Sequence, residues 1–159
     1  MGKVASFTVD HLRLLTGLYV SRVDQVCGHP VTTFDIRMTR PYAEPAMDTA
    51  GIHAIEHLGA AFLRSDPDWE DRIVYFGPMG CRTGFDLVLS GRHEPEEILD
   101  LIARMFRFII DFEGDIPGAT PGECGNCRDM NLDFAKFYAR KYWAEVIMKP
   151  DPNRFHYPA

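Results

Sequence analysis

The sequence predicts an α+β fold built on an antiparallel β-sheet, and three observations carry it. The strand-like stretches come in two adjacent pairs. Each pair is joined by a short turn-forming stretch rich in glycine and proline. The helical patterns follow the pairs instead of alternating with single strands, which favours a layered α+β sandwich over a doubly wound sheet.

Residues 18–27, LYVSRVDQVC, alternate imperfectly and read as a strand. After the turn-forming Gly28-His29-Pro30, the stretch VTTFDIRMTR reads as a second strand that ends at Pro41. Asp48 offers an N-cap for a helix to about Ser65, with Ile52, Ile55, Gly59 and Phe62 on one face. RIVYF (72–76) and FDLVLS (85–90) read as a second strand pair around a Gly-Pro-Met-Gly-Cys loop. A helix from Glu94 to about Phe112 has Pro95 in its first turn and Ile98, Ile102, Met105 and Ile109 on one face. Residues 111–129 form a long loop rich in Gly, Pro and acids, and long loops in compact domains often carry function. A last helix is expected from about Met130 to Met148.

The chain has 159 residues, the size of one domain. Residues 1–149 are expected to form a single domain. Residues 150–159, PDPNRFHYPA, are expected to be a flexible C-terminal tail because of their three prolines. The net charge is -6 and no Lys/Arg-rich run is present, so a nucleic-acid partner is not expected. No apolar stretch is long enough to span a bilayer, and the first residues lack the apolar core of a signal peptide. A cytoplasmic, reducing location follows as the expectation. Cys27, Cys81, Cys124 and Cys127 then read as thiols or metal ligands, not as a disulfide framework.

The strongest chemical signal is His53-Ala-Ile-Glu-His57. Four residues advance a helix about 40° past a full turn, so both imidazoles share a face and can reach one divalent metal. Glu56 lies on the same edge, where it can act on a metal-bound group. Arg64 returns to that face about two turns on, where a cation can hold an anionic part of a ligand. Cys124-Gly-Asn-Cys127 in the long loop adds sulfur ligands. With both sulfurs the site is a closed His2Cys2 zinc site, and with one it is a His2Cys site open to substrate. Spacing leaves both standing. The order H-x-x-E-H also occurs in inverted-motif metallopeptidases, which need a further acidic ligand.

Cys81 lies in FGPMGCRTG, where glycines and a proline leave the thiol uncrowded. The charge of Arg82 beside it favours the thiolate. Cys27, at a strand end without a polar cluster, reads as structural.

Taken together, these segments resemble the LuxS family of S-ribosylhomocysteine lyases. The resemblance rests on Ser6-Phe7 with Asp10-His11, Phe34-Asp-Ile-Arg37, Ile52-His53-Ala-Ile-Glu56-His57-Leu58, Pro78-Met-Gly-Cys81-Arg-Thr-Gly84, Leu87-Val-Leu-Ser-Gly91 and Glu123-Cys124-Gly125. It implies an antiparallel sheet with helices on one side. It implies metal ligands at His53, His57 and Cys124, holding one Fe2+ per subunit that Zn2+ or Co2+ can replace. Glu56 and Cys81 fall on the acid/base positions. Ser6, His11 and Arg37 fall on substrate contacts near the sugar, and Arg64 on a contact to the homocysteine end. It also implies a homodimer with active sites at the interface. Cys127 and Tyr75-Phe76-Gly77 depart from the family pattern, and Tyr75 is assigned no role.

The implied reaction converts S-ribosylhomocysteine to homocysteine and 4,5-dihydroxy-2,3-pentanedione, the autoinducer-2 precursor. The thioether is too far from the aldehyde to be activated, so the carbonyl must migrate twice before β-elimination. Each step needs a Lewis acid and a general base. Two readings compete with it: a non-catalytic His2Cys2 zinc module, and a small metallopeptidase.

Overall fold

The structure, a computed structural model, describes Val4 and residues 7–158. Ser6 lies outside the described residues. Four strands, β1 (Gly17–Val26), β2 (His29–Arg37), β3 (Ile73–Pro78) and β4 (Gly84–Ser90), form one antiparallel sheet in the order β1-β2-β4-β3. Three helices, α1 (Thr49–Leu63), α2 (Pro95–Asp111) and α3 (Leu132–Tyr142), pack on one another and on the sheet. The expected α+β class and element order are both present.

Alternation along the strands separates the two faces. Phe34 and Ile36 of β2 and Phe85, Leu87 and Leu89 of β4 join Ile55, Leu58, Ile98, Ile102, Met105 and Ile109 of the helices in one core. Asp35, Arg37 and Asp86 point to the opposite face, with Asp35 directly across from Asp86 in the register. Asp35 and Arg37 are nevertheless only 1% and 4% exposed. The sheet is therefore apolar toward the helices, while around Asp35 and Arg37 its other side is polar yet buried.

The helix ends follow from their caps. Asp48 accepts from the Gly51 amide at 2.8 Å, and Asn131 from the Phe134 amide at 2.9 Å. Glu94 and Glu97 form a reciprocal capping box at the start of α2, with Pro95 in the first turn. The last helix is α-helical only to Tyr142. It continues as one π-helical turn, Trp143–Ile147, with Val146 still in the core.

Two local expectations change. The first hairpin turns at Cys27-Gly28, not Gly28–Pro30, because Val26 pairs with His29 and leaves a two-residue loop with positive φ at both positions. Cys27 is thus an exposed turn residue and not a structural one at a strand end. The segment after Pro150, with the composition of a flexible tail, packs on the sheet: a 3-10 turn spans Pro152–Arg154, and Phe155 is buried.

Candidate active site

The ligand helix and the long loop are tied together by backbone. The His53 Nδ1 lies 2.9 Å from the Asp129 carbonyl, and the His57 Nδ1 lies 2.8 Å from the Pro117 carbonyl. A carbonyl only accepts, so each Nδ1 carries the proton and donates it. Each Nε2 is then left with its lone pair free, the tautomer that metal coordination needs. The Asn131 amide donates to the Ala50 carbonyl, and Thr49 Oγ1 donates to Asp129 Oδ1, pinning the end of the loop along α1. Gly118, at φ +71, brings the loop against His57, and a Cβ there would stand 3.1 Å from the His57 Nδ1.

Cys124 is delivered by a turn in which its amide donates to the Thr120 carbonyl at 2.9 Å. Its Sγ stands 3.4 Å from His53 Nε2. The ligand atoms of His53, His57 and Cys124 all lie within 4.8 Å of one another. Two neutral imidazoles and one sulfur at that spacing suit a divalent transition metal. Cys127 is not in this group and instead lines a separate cavity with Gly114, Thr120 and Met130. Among the described residues the group holds two imidazoles and one sulfur, which fits a His2Cys site better than a His2Cys2 one. It also carries a sulfur where an inverted-motif peptidase would carry an acid. Glu56 is half-buried on α1, next to His57.

Cys81 sits elsewhere, in the turn between β3 and β4, exposed at the mouth of two cavities. The first, about 440 Å³, lies over the outer face of the sheet, with His11, Arg37, Asp35, Asp86 and Tyr157 in its wall. The second, about 520 Å³, is shared with Phe7, His11, Tyr42 and Glu44. Cys81 Sγ is 3.1 Å from Thr83 Oγ1 and 3.8 Å from the nearest Arg37 nitrogen. Arg37 also donates to Thr83 Oγ1 at 2.5 Å and to Asp35 Oδ2 at 2.5 Å. Burial opposes the charge on Arg37, but the charge and hydrogen bond of Asp35 outweigh it and raise its pKa. Arg37 thus places a cation beside the thiol. Arg82, the neighbour of Cys81 in sequence, sits at φ +59 in the same turn.

The structure brings His53, His57 and Cys124 together, and separately His11, Arg37 and Cys81. No member of the first group lines either Cys81 cavity. His11 Nδ1 donates to its own segment at the Val9 carbonyl, leaving Nε2 unengaged by that bond. Arg64 donates to the carbonyls of Ile73 and Val74, tying the end of α1 to β3. Sequence reading missed Thr83, Asp35 and Tyr157 around the thiol. A signal existed for Asp35: two charges alternate with Phe34 and Ile36 in one apolar strand.

Comparison with known proteins agrees with this constellation. The S-ribosylhomocysteinase (LuxS) family model matches residues 4–152. A protein of Finegoldia magna named S-ribosylhomocysteine lyase is 54% identical over 158 residues, covering 99% of each chain. Namesakes from Clostridium beijerinckii and Desulfotalea psychrophila are 51% and 49% identical, over 99% of each chain and 100% of each chain respectively. With a family model that spans nearly the whole chain and near-complete coverage of relatives at half identity, this chain belongs to the S-ribosylhomocysteinase (LuxS) family.

Proposed function

We propose that the protein is a carbon-sulfur lyase that cleaves S-ribosylhomocysteine to homocysteine and 4,5-dihydroxy-2,3-pentanedione. The observation that carries this reading is the His53, His57 and Cys124 group, in a chain about half identical to proteins that bear the activity's name. His53, His57 and Cys124 would hold the metal, for which we propose Fe2+, one per subunit, with Zn2+ or Co2+ able to replace it. That ion supplies Lewis acidity toward a sugar carbonyl and its neighbouring hydroxyl.

The remaining roles fall to the chain's own side chains. Cys81, held between Arg37 and Thr83, takes and returns protons between adjacent sugar carbons in the two carbonyl migrations. Arg37 favours the thiolate by its charge, and Thr83 orients the sulfur. Glu56 serves the later proton transfers, up to loss of the homocysteine thiolate. Ser6, His11 and Arg37 hold the sugar. Arg64 has five N–H donors and uses two on carbonyls, so others are available for the amino-acid end.

The metal group lies on α1 and the loop beside it, whereas one of the Cys81 cavities covers the sheet's outer face. One copy therefore carries two partial sites, and a homodimer would bring the Cys81 face of one copy to the metal group of the other. The exposed side chains Phe7, Leu12 and Tyr42, 82%, 77% and 87% exposed, suit a face that a second copy covers. A reducing, cytoplasmic compartment suits the four free thiols.

The test is release of homocysteine thiol from S-ribosylhomocysteine, read with Ellman's reagent on Fe2+- or Co2+-loaded protein. No thiol release from loaded protein overturns the activity. Cys81→Ala is expected to keep its metal and lose about 10²–10⁴-fold in turnover. Near-normal turnover in that variant removes Cys81 from the base role. Mixed dimers of Cys81→Ala and His57→Ala subunits should regain activity that neither homodimer has, and failure to do so counts against the shared site.

A further inference from the structure

The C-terminal segment reaches back across the sheet to the cavity wall. Arg154 donates to the Thr16 carbonyl at 2.7 Å and to the Thr16 hydroxyl. A Cβ on Gly17 would collide with the Arg154 carbonyl, so these two backbones lie this close only because residue 17 is glycine. Phe155 is buried beyond them. The ring of Tyr157 then stacks on fully buried Tyr19, with centroids 4.8 Å apart. Its hydroxyl donates to Asp35 Oδ2 at 2.8 Å, the oxygen that also receives Arg37 at 2.5 Å.

One unbroken run of contacts thus leads from the last turn of the chain to the thiol. Tyr157 holds Asp35, Asp35 holds one arm of the Arg37 guanidinium, and the other arm meets Thr83 and Cys81. Arg37 Nε and Asp35 Oδ1 have no partner among the described residues. The guanidinium is therefore fixed by the carboxylate oxygen that Tyr157 shares, and by Thr83. Burial first, and the Asp35 charge second, push the Tyr157 phenol up, so it remains a donor at working pH.

We propose that Tyr157 is a positioning residue for Arg37 and, through it, for Cys81, which makes the C-terminal segment a structural part of the active site. The reading of Cys81 as the proton-transfer group supplies its catalytic consequence, while the geometric relay stands apart from that reading. Tyr157→Phe keeps the ring on Tyr19 and removes only the hydroxyl. Without it Asp35 is less well held and its charge less well balanced. Arg37 then loses its fixed aim, and the thiolate loses part of its stabilisation.

The experiment measures iodoacetamide alkylation of each cysteine by mass spectrometry across pH 6–9 in the full-length metal-loaded protein. Cys27, exposed in the far hairpin turn, is the control within the same sample. The charged groups lining the cavities around Cys81 are His11 from the N-terminal segment, Arg22 from β1, Asp35 and Arg37 from β2, Glu44 from the 40–47 loop, and Asp86 from β4. All are unchanged in the variant. Loss of one hydrogen bond to a buried carboxylate predicts Cys81 alkylation slower by about threefold to tenfold near neutral pH. Cys27 alkylation and the thermal midpoint should be unchanged. A variant lacking residues 156–159 should show the same slowing. Wild-type alkylation of Cys81 in Tyr157→Phe overturns the proposal. So does slowing seen only in the truncation and together with a lowered thermal midpoint. If Cys81→Ala proves active while Tyr157→Phe slows alkylation, the base assignment fails and the relay stands.

Discussion

Asp35→Asn separates a buried ion pair from an ordinary surface one. The substitution keeps the shape of the side chain and removes its charge. In the native protein the Asp35 and Arg37 side chains are 2% and 5% exposed and meet at 2.5 Å. Removing one partner leaves the other charge buried and uncompensated, which costs about 3–5 kcal/mol. The comparison is Asp24→Asn, which breaks the Arg22–Asp24 pair, 49% and 50% exposed. There water already screens both charges, and the loss is about 0–1 kcal/mol. The assay is urea unfolding at one protein concentration, followed by the fluorescence of Trp69 and Trp143. With a slope of about 2 kcal/mol/M, Asp35→Asn should lower the midpoint by about 1.5–2.5 M, and Asp24→Asn by at most about 0.5 M. Replacing both members, Asp35→Leu with Arg37→Met, should cost less than the two single changes combined, since no charge is left stranded. An Asp35→Asn midpoint equal to that of Asp24→Asn, or a double variant that simply adds its parts, would refute the reasoning.

Metal analysis of His57→Ala should show the ion lost and of Cys127→Ala the ion kept, because Cys127 stands outside the His53, His57, Cys124 group; metal loss in Cys127→Ala would restore the closed His2Cys2 site. Alkaline titration tests the buried phenols. Burial first, and then Asp35, raise Tyr19 from 10.0 to about 12, and Tyr142 and Tyr157 move the same way. A raised phenol stabilises the fold fully below pH 10, and that contribution is lost as pH rises from 10 through 12. Unfolding free energy should therefore fall steeply above pH 10 and less steeply in Tyr19→Phe; a flat profile to pH 12 would contradict the assignment.

Local signals were sufficient where one residue type has one physical use. Asp48 announced the start of α1, and Pro95 in the first turn after Glu94 that of α2. The four-residue spacing of His53 and His57 fixed a shared face, but it could not choose between one sulfur and two. That choice depends on the path of the 112–131 loop, which backbone bonds to α1 set and which leaves Cys127 in another cavity. The carbonyls of Asp129 and Pro117 that orient the imidazoles carry no side-chain signature at all. The contact of Arg37 with Cys81 was illegible for a related reason: it joins the turn to a strand more than forty residues earlier.

Strand β2 shows why core and chemistry are hard to separate in this fold. Phe34 and Ile36 anchor the helix layer while Asp35 and Arg37 face the cavity, so a single stretch of four residues serves both sides. A slip of one residue in its pairing would turn all four over. It would put two charges into the apolar core and two apolar side chains under the thiol. Pairing on both sides, with β1 and with β4, makes such a slip costly, and the pairing of Arg37 with Gly84 sets Arg37 beside the turn that carries Cys81. Selection for the aim of that guanidinium and selection for a packed core therefore act on the same hydrogen-bond ladder. A substitution that loosens β2 should reduce Cys81 reactivity before it unfolds the protein, because the guanidinium sits at the C-terminal end of the strand, where the ladder stops.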